Sequence, residues 1–348
     1  MKATKVLVTG GAGFIGSHLT ERLLSDGASV TVLDDLSTGR WENLARVKGS
    51  KKLTLLYASA ADVVLLQREI ARHDFVYHLA SSVGVKLIID EPIRTVQNIF
   101  HTTDAVLQGC ARFRRPVLIT STSEVYGKSN QIPFREDADV VMGATCKRRW
   151  AYACAKALDE FLALAHFYET GLPVYVVRLF NTVGPRQTGR YGMVLPNLVE
   201  QAISGKPLTV YGSGKQSRCF CSVHDVVEAL CRFPNCPGAA GKVMNIGTQE
   251  EISIMELALR IKALTRSDST IELIPYEMAY GPGFDDMERR VPDTSRAHEV
   301  LGWRTTRTLD EIILEMAPLI KAEIDAQATV GSSKVNSNAL AAAQSGLS

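Results

Sequence analysis

Two residues stand where acid–base chemistry could be run. Tyr152 and Lys156 are four apart within 150–168, a stretch whose pattern predicts a helix, so they share a face. An ammonium beside a phenol favours the phenolate and lowers the tyrosine from its usual pKa of about 10. A tyrosine tuned in this way can take a proton from an alcohol near neutral pH. Alone, the Tyr-x-x-x-Lys spacing is common by chance as a surface pair. Here Ser121, Thr122, Ser123 and Glu124 close a predicted strand. Hydroxyls at a strand's carboxyl end face the crevice where open parallel sheets bind ligands.

A second cluster could hold phosphate. The first predicted strand, 5–8, runs into Gly10-Gly11-Ala12-Gly13-Phe14-Ile15-Gly16, and a helix pattern over 14–25 follows. The glycines fit both G-x-G-x-x-G (11, 13, 16) and G-x-x-G-x-x-G (10, 13, 16). Such a turn lets backbone approach a pyrophosphate, and the helix N-terminus offers N–H groups and a favourable dipole. Asp34 ends the next strand, 30–33, close to the ~20-residue spacing of a ribose-binding acid. A carboxylate there repels a 2′-phosphate, so NAD is expected rather than NADP. Asp35 is the weaker ribose candidate.

The elements that must position these residues alternate. Strand patterns at 53–57, 75–79, 117–121 and 173–179 are separated by helical stretches such as 92–110. This predicts an α/β chain with a Rossmann-type doubly wound parallel sheet, covered on both faces. After Asn181, Gly and Pro punctuate shorter elements, which predicts a smaller α/β substrate-binding domain over the sheet's carboxyl edge. The expected division is 1–180 for the dinucleotide domain, with a segment near 219–249 returning to it, and 181–218 plus 250–321 for the substrate domain. From 322 to 348 the periodicity ends and a disordered tail is expected.

Composition bounds the class. The 348 residues carry 39 Lys+Arg against 37 Asp+Glu and are 46% hydrophobic, so a globular chain of about two domains is expected. The balanced charge leaves no basic stripe for nucleic acid, and no apolar run reaches the ~20 residues of a membrane span. The amino terminus enters a strand pattern with no room for a signal peptide. Seven cysteines, none in a C-x-x-C pair and none with histidines at zinc spacing, read as reduced thiols in the cytoplasm, with no metal site. Cys219 and Cys221 flank Phe220 in one predicted strand and should face the same side. His18 and His78 read as core or capping histidines, and His224-Asp225 as a helix cap. Lys147-Arg148-Arg149 reads either as a solvated run or as a contact to an anionic substrate.

GGAGFIG (10–16), STSEVYG (121–127), YACAK (152–156), RLFNTVGPR (178–186) and TVYGSGKQSR (209–218) together resemble the extended short-chain dehydrogenase/reductases. This is the nucleotide-sugar epimerase, dehydratase and decarboxylase group, and the likeness covers about 4–320. It implies a bound NAD, reduced and reoxidised within one cycle, and a sugar-nucleotide substrate. Tyr152 would take the proton of the sugar 4-hydroxyl, Lys156 would hold the nicotinamide ribose, and Thr122 would bond the 4-oxygen. Gly10, Gly13, Phe14, Ile15, Gly16, Asp34, Ser59, Ala60, Leu79 and Ala80 would line the cofactor. Asn181 and Arg186 would meet the substrate, Tyr211 would border its base, and Arg218 and Arg290 would meet its diphosphate. Where the family often has an adenine-contacting Asp, Ser59 stands, with Asp62 three residues later.

Thr122-Ser123-Glu124 and Arg289-Arg290-Val291-Pro292-Asp293 resemble the UDP-glucuronic acid decarboxylases most. A 4,6-dehydratase would carry Asp-Glu after the threonine, and an epimerase a small residue at Glu124. The resemblance implies decarboxylation of UDP-glucuronate to UDP-xylose or the 4-keto pentose. The alternatives are a UDP-glucuronate or UDP-glucose 4-epimerase, a sugar-nucleotide 4,6-dehydratase, and a non-catalytic NAD-binding regulator. A homodimer through the 92–110 and 150–168 helices is expected by the same likeness.

Overall fold

The computed structural model describes residues 5–81, 91–189, 192–280 and 287–326. Its centre is a seven-stranded parallel sheet built from β1 (Lys5–Thr9), β2 (Ser29–Asp34), β3 (Leu53–Tyr57), β4 (Phe75–His78), β5 (Val117–Thr122), β6 (Val174–Leu179) and β11 (Lys242–Ile246). The order is β11-β6-β5-β4-β1-β2-β3, so the sheet reverses direction of winding at β1 and β4. The ligand crevice of an open parallel sheet lies outside the strand ends at that reversal.

The strands read as apolar runs because both faces are covered. Val6 and Val8 face one side with Leu19 and Leu23 of α1 (Phe14–Ser25) and Val226 and Leu230 of α6 (Val223–Arg232). Leu7 faces the other side, where Leu66 of α2 (Val63–Arg72), Val106 of α3 (Pro92–Phe113) and Ala163 of α4 (Trp150–Thr170) pack. Each such leucine contributes about 1.5–3 kcal/mol when fully buried.

Beyond the sheet, β7 (Thr182–Val183) pairs with β10 (Cys221–Ser222), and β8 (Leu208–Tyr211) pairs with β13 (Ile271–Ile274). A separate apolar cluster joins α5 (Val194–Ile203), α7 (Ile254–Thr265) and the helix 309–326 through Leu198, Leu257 and Ile313. A capping box opens α7: Ser253 Oγ accepts from the Glu256 N–H, and the Glu256 carboxylate accepts from the Ser253 N–H.

Three expectations need correction. The last helix runs to 326, past the point where the sequence loses periodicity at 322; residues 327–348 lie outside the described residues. Cys219 and Cys221 are both buried but do not share a strand. Cys219 ends β9 (Ser217–Cys219), antiparallel to β12 (Glu251–Ser253), whereas Cys221 begins β10. The chain changes partner at Phe220. The cap of α6 is Ser222, whose Oγ accepts from the His224 N–H. Asp225 instead accepts from the backbone N–H groups of Thr306 and Arg307. Asp62 caps α2 through the Leu65 N–H.

Candidate active site

The glycine turn links β1 to α1, and its glycines are required by close approach. A Cβ on Gly16 would lie 2.1 Å from the Gly10 carbonyl oxygen. Gly10 has φ +73°, and a Cβ there would lie 2.7 Å from the Ala80 nitrogen. Ala80, just past the end of β4, is therefore seated against the turn. Asp34, ending β2, is buried and accepts from the N–H groups of Ala12 and Leu36, both at 2.9 Å. Burial pushes its carboxyl above the ordinary carboxylate range, and these backbone donors oppose the rise. Ser59 lies beyond the end of β3, with its Oγ accepting from the Ala61 N–H, and Ala60 is buried. Ser81 Oγ, beyond Ala80, is buried with no hydrogen-bond partner among the described residues. A glycine cradle, an acid at the β2 end and an orphaned hydroxyl at the β4 end fit a dinucleotide.

Across the crevice, β5 ends at Thr122, which caps a 3-10 turn (Ser123–Tyr126) by accepting from the Glu124 N–H at 3.2 Å. Thr122 also shares a hydrogen bond with the Tyr152 phenol. Tyr152, in the first turn of α4, is buried against Ile99 of α3. Its phenol is raised, not lowered as the spacing with Lys156 led us to expect. Burial is the largest cause, the charges of Glu124 and Asp159 add to it, and the Thr122 bond opposes it. The Lys156 ammonium is buried and donates to Asp159 Oδ2 at 2.8 Å. An ion pair of this kind cancels much of the field a lone ammonium would exert.

Glu124 is the centre of a buried triad. Arg149, at the N-cap of α4, donates to its Oε2 at 2.5 Å, and Arg290 pairs with its Oε1. The side chains of Arg149, Glu124 and Arg290 are 4%, 10% and 9% exposed. The Arg149 guanidinium also lies over the Trp150 ring, 5.1 Å from its centroid. The sequence offers Arg149 within a run that is either solvated or in contact with an anionic substrate, and the resemblance offers Arg290 to the diphosphate. The structure brings both to Glu124, in the turn that Thr122 caps. Ser123 is buried beside them.

The other expected residues are scattered. Asn181, with φ +24°, donates from Nδ2 to the Cys219 carbonyl at 3.1 Å. Arg218 is buried and donates to the carbonyls of Ser217 and Glu288. Tyr211 ends β8. Between Lys215–Ser217 and Glu288–Arg289 opens a groove of about 780 Å³. Arg186 is turned to α1 instead, donating to Ser17 Oγ and pairing with Glu21 at 2.7 Å. Its neighbour carbonyl, Pro185 O, bonds His18 Nε2 at 2.9 Å. Arg186 thus braces the chain after β7 against the first helix. Leu79 follows β4 and donates its N–H to the Thr9 carbonyl at 3.0 Å. Phe14 and Ile15 open α1 and pack on the sheet core. No cluster of metal-ligating side chains is present among the described residues.

A family model described as GDP-mannose 4,6 dehydratase matches residues 7–316, nearly the whole of this arrangement. The chain belongs to that family. Among curated relatives, it is 40% identical over 297 residues to a UDP-N-acetyl-alpha-D-glucosaminuronate decarboxylase of Bacillus cytotoxicus, covering 85% of this chain and 91% of that one. It is 35% identical over 324 residues to UDP-glucuronic acid decarboxylase 1 of Danio rerio, covering 93% and 74%. A solved structure, UDP-glucuronic acid 4-epimerase from Bacillus cereus in complex with UDP-glucuronic acid and NAD, superposes with a TM-score of 0.81. It shares 26% identity and covers 91% of this chain and 99% of its own. The extended short-chain dehydrogenase/reductase fold expected of the sequence is the fold found.

Proposed function

We propose that this chain is an NAD-dependent carboxy-lyase acting on a UDP-hexuronate, most directly UDP-glucuronate, giving UDP-xylose or the UDP-4-keto pentose. The observation that carries the reading is the Arg149–Glu124–Arg290 triad beside the Thr122–Tyr152 hydrogen bond. It sets two guanidinium groups at the reacting end, where a substrate bearing a carboxylate needs forked donors.

The roles follow from position. Tyr152 takes the proton of the sugar 4-hydroxyl, with Thr122 holding the same oxygen. Lys156 binds the nicotinamide ribose, and the turn from Gly10 to Gly16 receives the pyrophosphate. Bound NAD would supply the acceptor for the C4 hydride, and would be reoxidised within the cycle only where UDP-xylose is the product. Oxidation at C4 makes the 6-carboxylate a β-keto acid, whose C–C electrons pass into the ketone as CO2 leaves. Arg149 and Arg290 orient the departing carboxylate, and Glu124 bridges the two guanidinium groups, offsetting one of their two charges. Asn181, Tyr211 and Arg218 serve the UDP half along the adjoining groove. Residues 1–180 with 219–249 form the dinucleotide domain in this reading, and 181–218 with 250–321 the substrate domain.

The name of the Bacillus cytotoxicus relative supports a second sugar for the same reaction, the 2-acetamido uronate. Incubation with UDP-glucuronate and with UDP-N-acetylglucosaminuronate, following CO2 and nucleotide sugars, tests both. Release of CO2 with a pentose product is expected; UDP-galacturonate without CO2 would instead mean epimerisation, and no turnover of either would revive the regulator.

The reading includes a homodimer in the cytoplasm. Leu158, Phe161 and Tyr168 leave an apolar stripe exposed on α4, which supports a second copy. All seven cysteines are free, which supports a reducing compartment. No described helix is long and apolar enough to cross a membrane.

A further inference from the structure

Behind the catalytic pair lies a buried polar path that the reaction scheme does not use. Asp159 is fully buried, one turn beyond Lys156 on α4. Its Oδ2 accepts from Lys156 Nζ at 2.8 Å and from Thr103 Oγ1 of α3 at 2.9 Å. Thr103 lies 3.3 Å from His78 Nε2, and His78 Nδ1 lies 2.8 Å from Thr9 Oγ1. Thr9 Oγ1 accepts from the Ala80 N–H at 3.4 Å. Thr9 immediately precedes Gly10, so the path ends at the dinucleotide turn.

The direction of every bond is fixed by counting protons. Thr103 has one hydroxyl hydrogen and gives it to Asp159, so towards His78 it can only accept. His78 must then carry its proton on Nε2, which leaves Nδ1 to accept from Thr9. Burial lowers the His78 pKa to about 3, so the ring is neutral as this pattern requires. All donors therefore point along the path to one sink, the Asp159 carboxylate. Its other oxygen, Oδ1, is buried with no hydrogen-bond partner among the described residues.

We propose that Asp159 is a positioning residue: it anchors Lys156 at the floor of the crevice and part-neutralises the ammonium that Tyr152 feels. This rests on the role given to Tyr152 above. The charged and titratable groups facing Tyr152 and this anchor are Lys156, Asp159, Glu160 and Arg149 of its own helix, Glu124 of the turn after β5, Arg290 of the 287–293 segment and neutral His78 of β4. Removing the Asp159 charge alone leaves Lys156 opposed by nothing at 2.8 Å, so the phenolate becomes easier to form.

The test compares Asp159→Asn with Thr103→Val in the full chain. Tyrosinate absorbance, taken as the difference from Tyr152→Phe, is titrated beside the pH profile of kcat. Asp159→Asn should move the tyrosinate titration and the acid limb of kcat about one unit to lower pH. Thr103→Val breaks the same path but keeps the charge, and its curves should not move down. If Asp159→Asn does not fold, Asp159→Ser, which leaves room for a bridging water, carries the same expectation. Curves that superpose on wild type, or a downward shift of equal size in Thr103→Val, would overturn the proposal. Absence of turnover in the wild-type protein would count against the decarboxylase reading alone, because the absorbance titration needs no substrate.

Discussion

The Glu124 carboxylate is shared by Arg149, which precedes the catalytic helix, and Arg290, which arrives from the far end of the chain. It bridges two buried guanidinium groups. Removing one partner of such a group leaves uncompensated charge, at a cost of about 3–5 kcal/mol. Glu124→Gln should therefore lower the stability in urea by about 3 kcal/mol. A uronate ligand supplies a replacement carboxylate, so UDP-glucuronate should raise the Tm of this variant more than that of wild type. UDP-glucose, which has no carboxylate, should not show the difference.

Tyr152→Phe removes a single buried hydroxyl whose hydrogen-bond partner, Thr122, has a second donor in the Glu124 N–H. The fold should survive with a small change in Tm. Turnover should fall by about 10²–10⁴, the range set by loss of a general base. Steady-state rates with UDP-glucuronate and a thermal melt check both halves; near-wild-type turnover would assign the proton to another residue.

Two buried histidines set an acid limit on stability. Burial lowers His18 to about 4 and His78 to about 3, from an ordinary 6.5. Between those values and 6.5 the unfolded chain binds protons that the folded chain refuses. Stability is therefore full above pH 6.5 and is lost as the pH falls towards 4. The slope is at most about 1.4 kcal/mol per pH unit for each histidine. Urea unfolding at pH 7 and pH 5 should show the drop, and His18→Gln should reduce it.

Gly16→Ala places a methyl group on the Gly10 carbonyl, 2.1 Å away in the unrelaxed turn. The turn must open, and the purified variant should release less NAD on denaturation than wild type. In wild type, NADP should compete poorly with NAD, because Asp34 sets a buried carboxylate at the end of β2. Equal retention of NAD by Gly16→Ala would place the pyrophosphate elsewhere.

What could be read from the sequence was local. β1, the glycine turn and α1 declare themselves within 25 residues, because a short apolar run, close backbone approach and helical spacing are neighbour effects. Lys156 and Asp159 were also within reach: an acid three residues after the lysine on one helix face is a pairing signal that reasoning about Tyr152 passed over. The burial that raises Tyr152 was not legible, since it depends on α3 packing across α4. Nor was the meeting of Arg149 with Arg290, which lie on separate segments and share no spacing rule. Arg186 is likewise a motif arginine whose partner, Glu21, lies far away in sequence on the first helix.

The late return of β11 has a consequence for how this protein can be made or cut. Lys242–Ile246 completes the sheet beside β6, and Val243, Met244 and Ile246 are buried there. A fragment ending at 180 would leave β6 as a raw border of unsatisfied amides, a template for aggregation. On the ribosome, the sheet must wait, unfinished after β6, until more than 60 further residues have emerged.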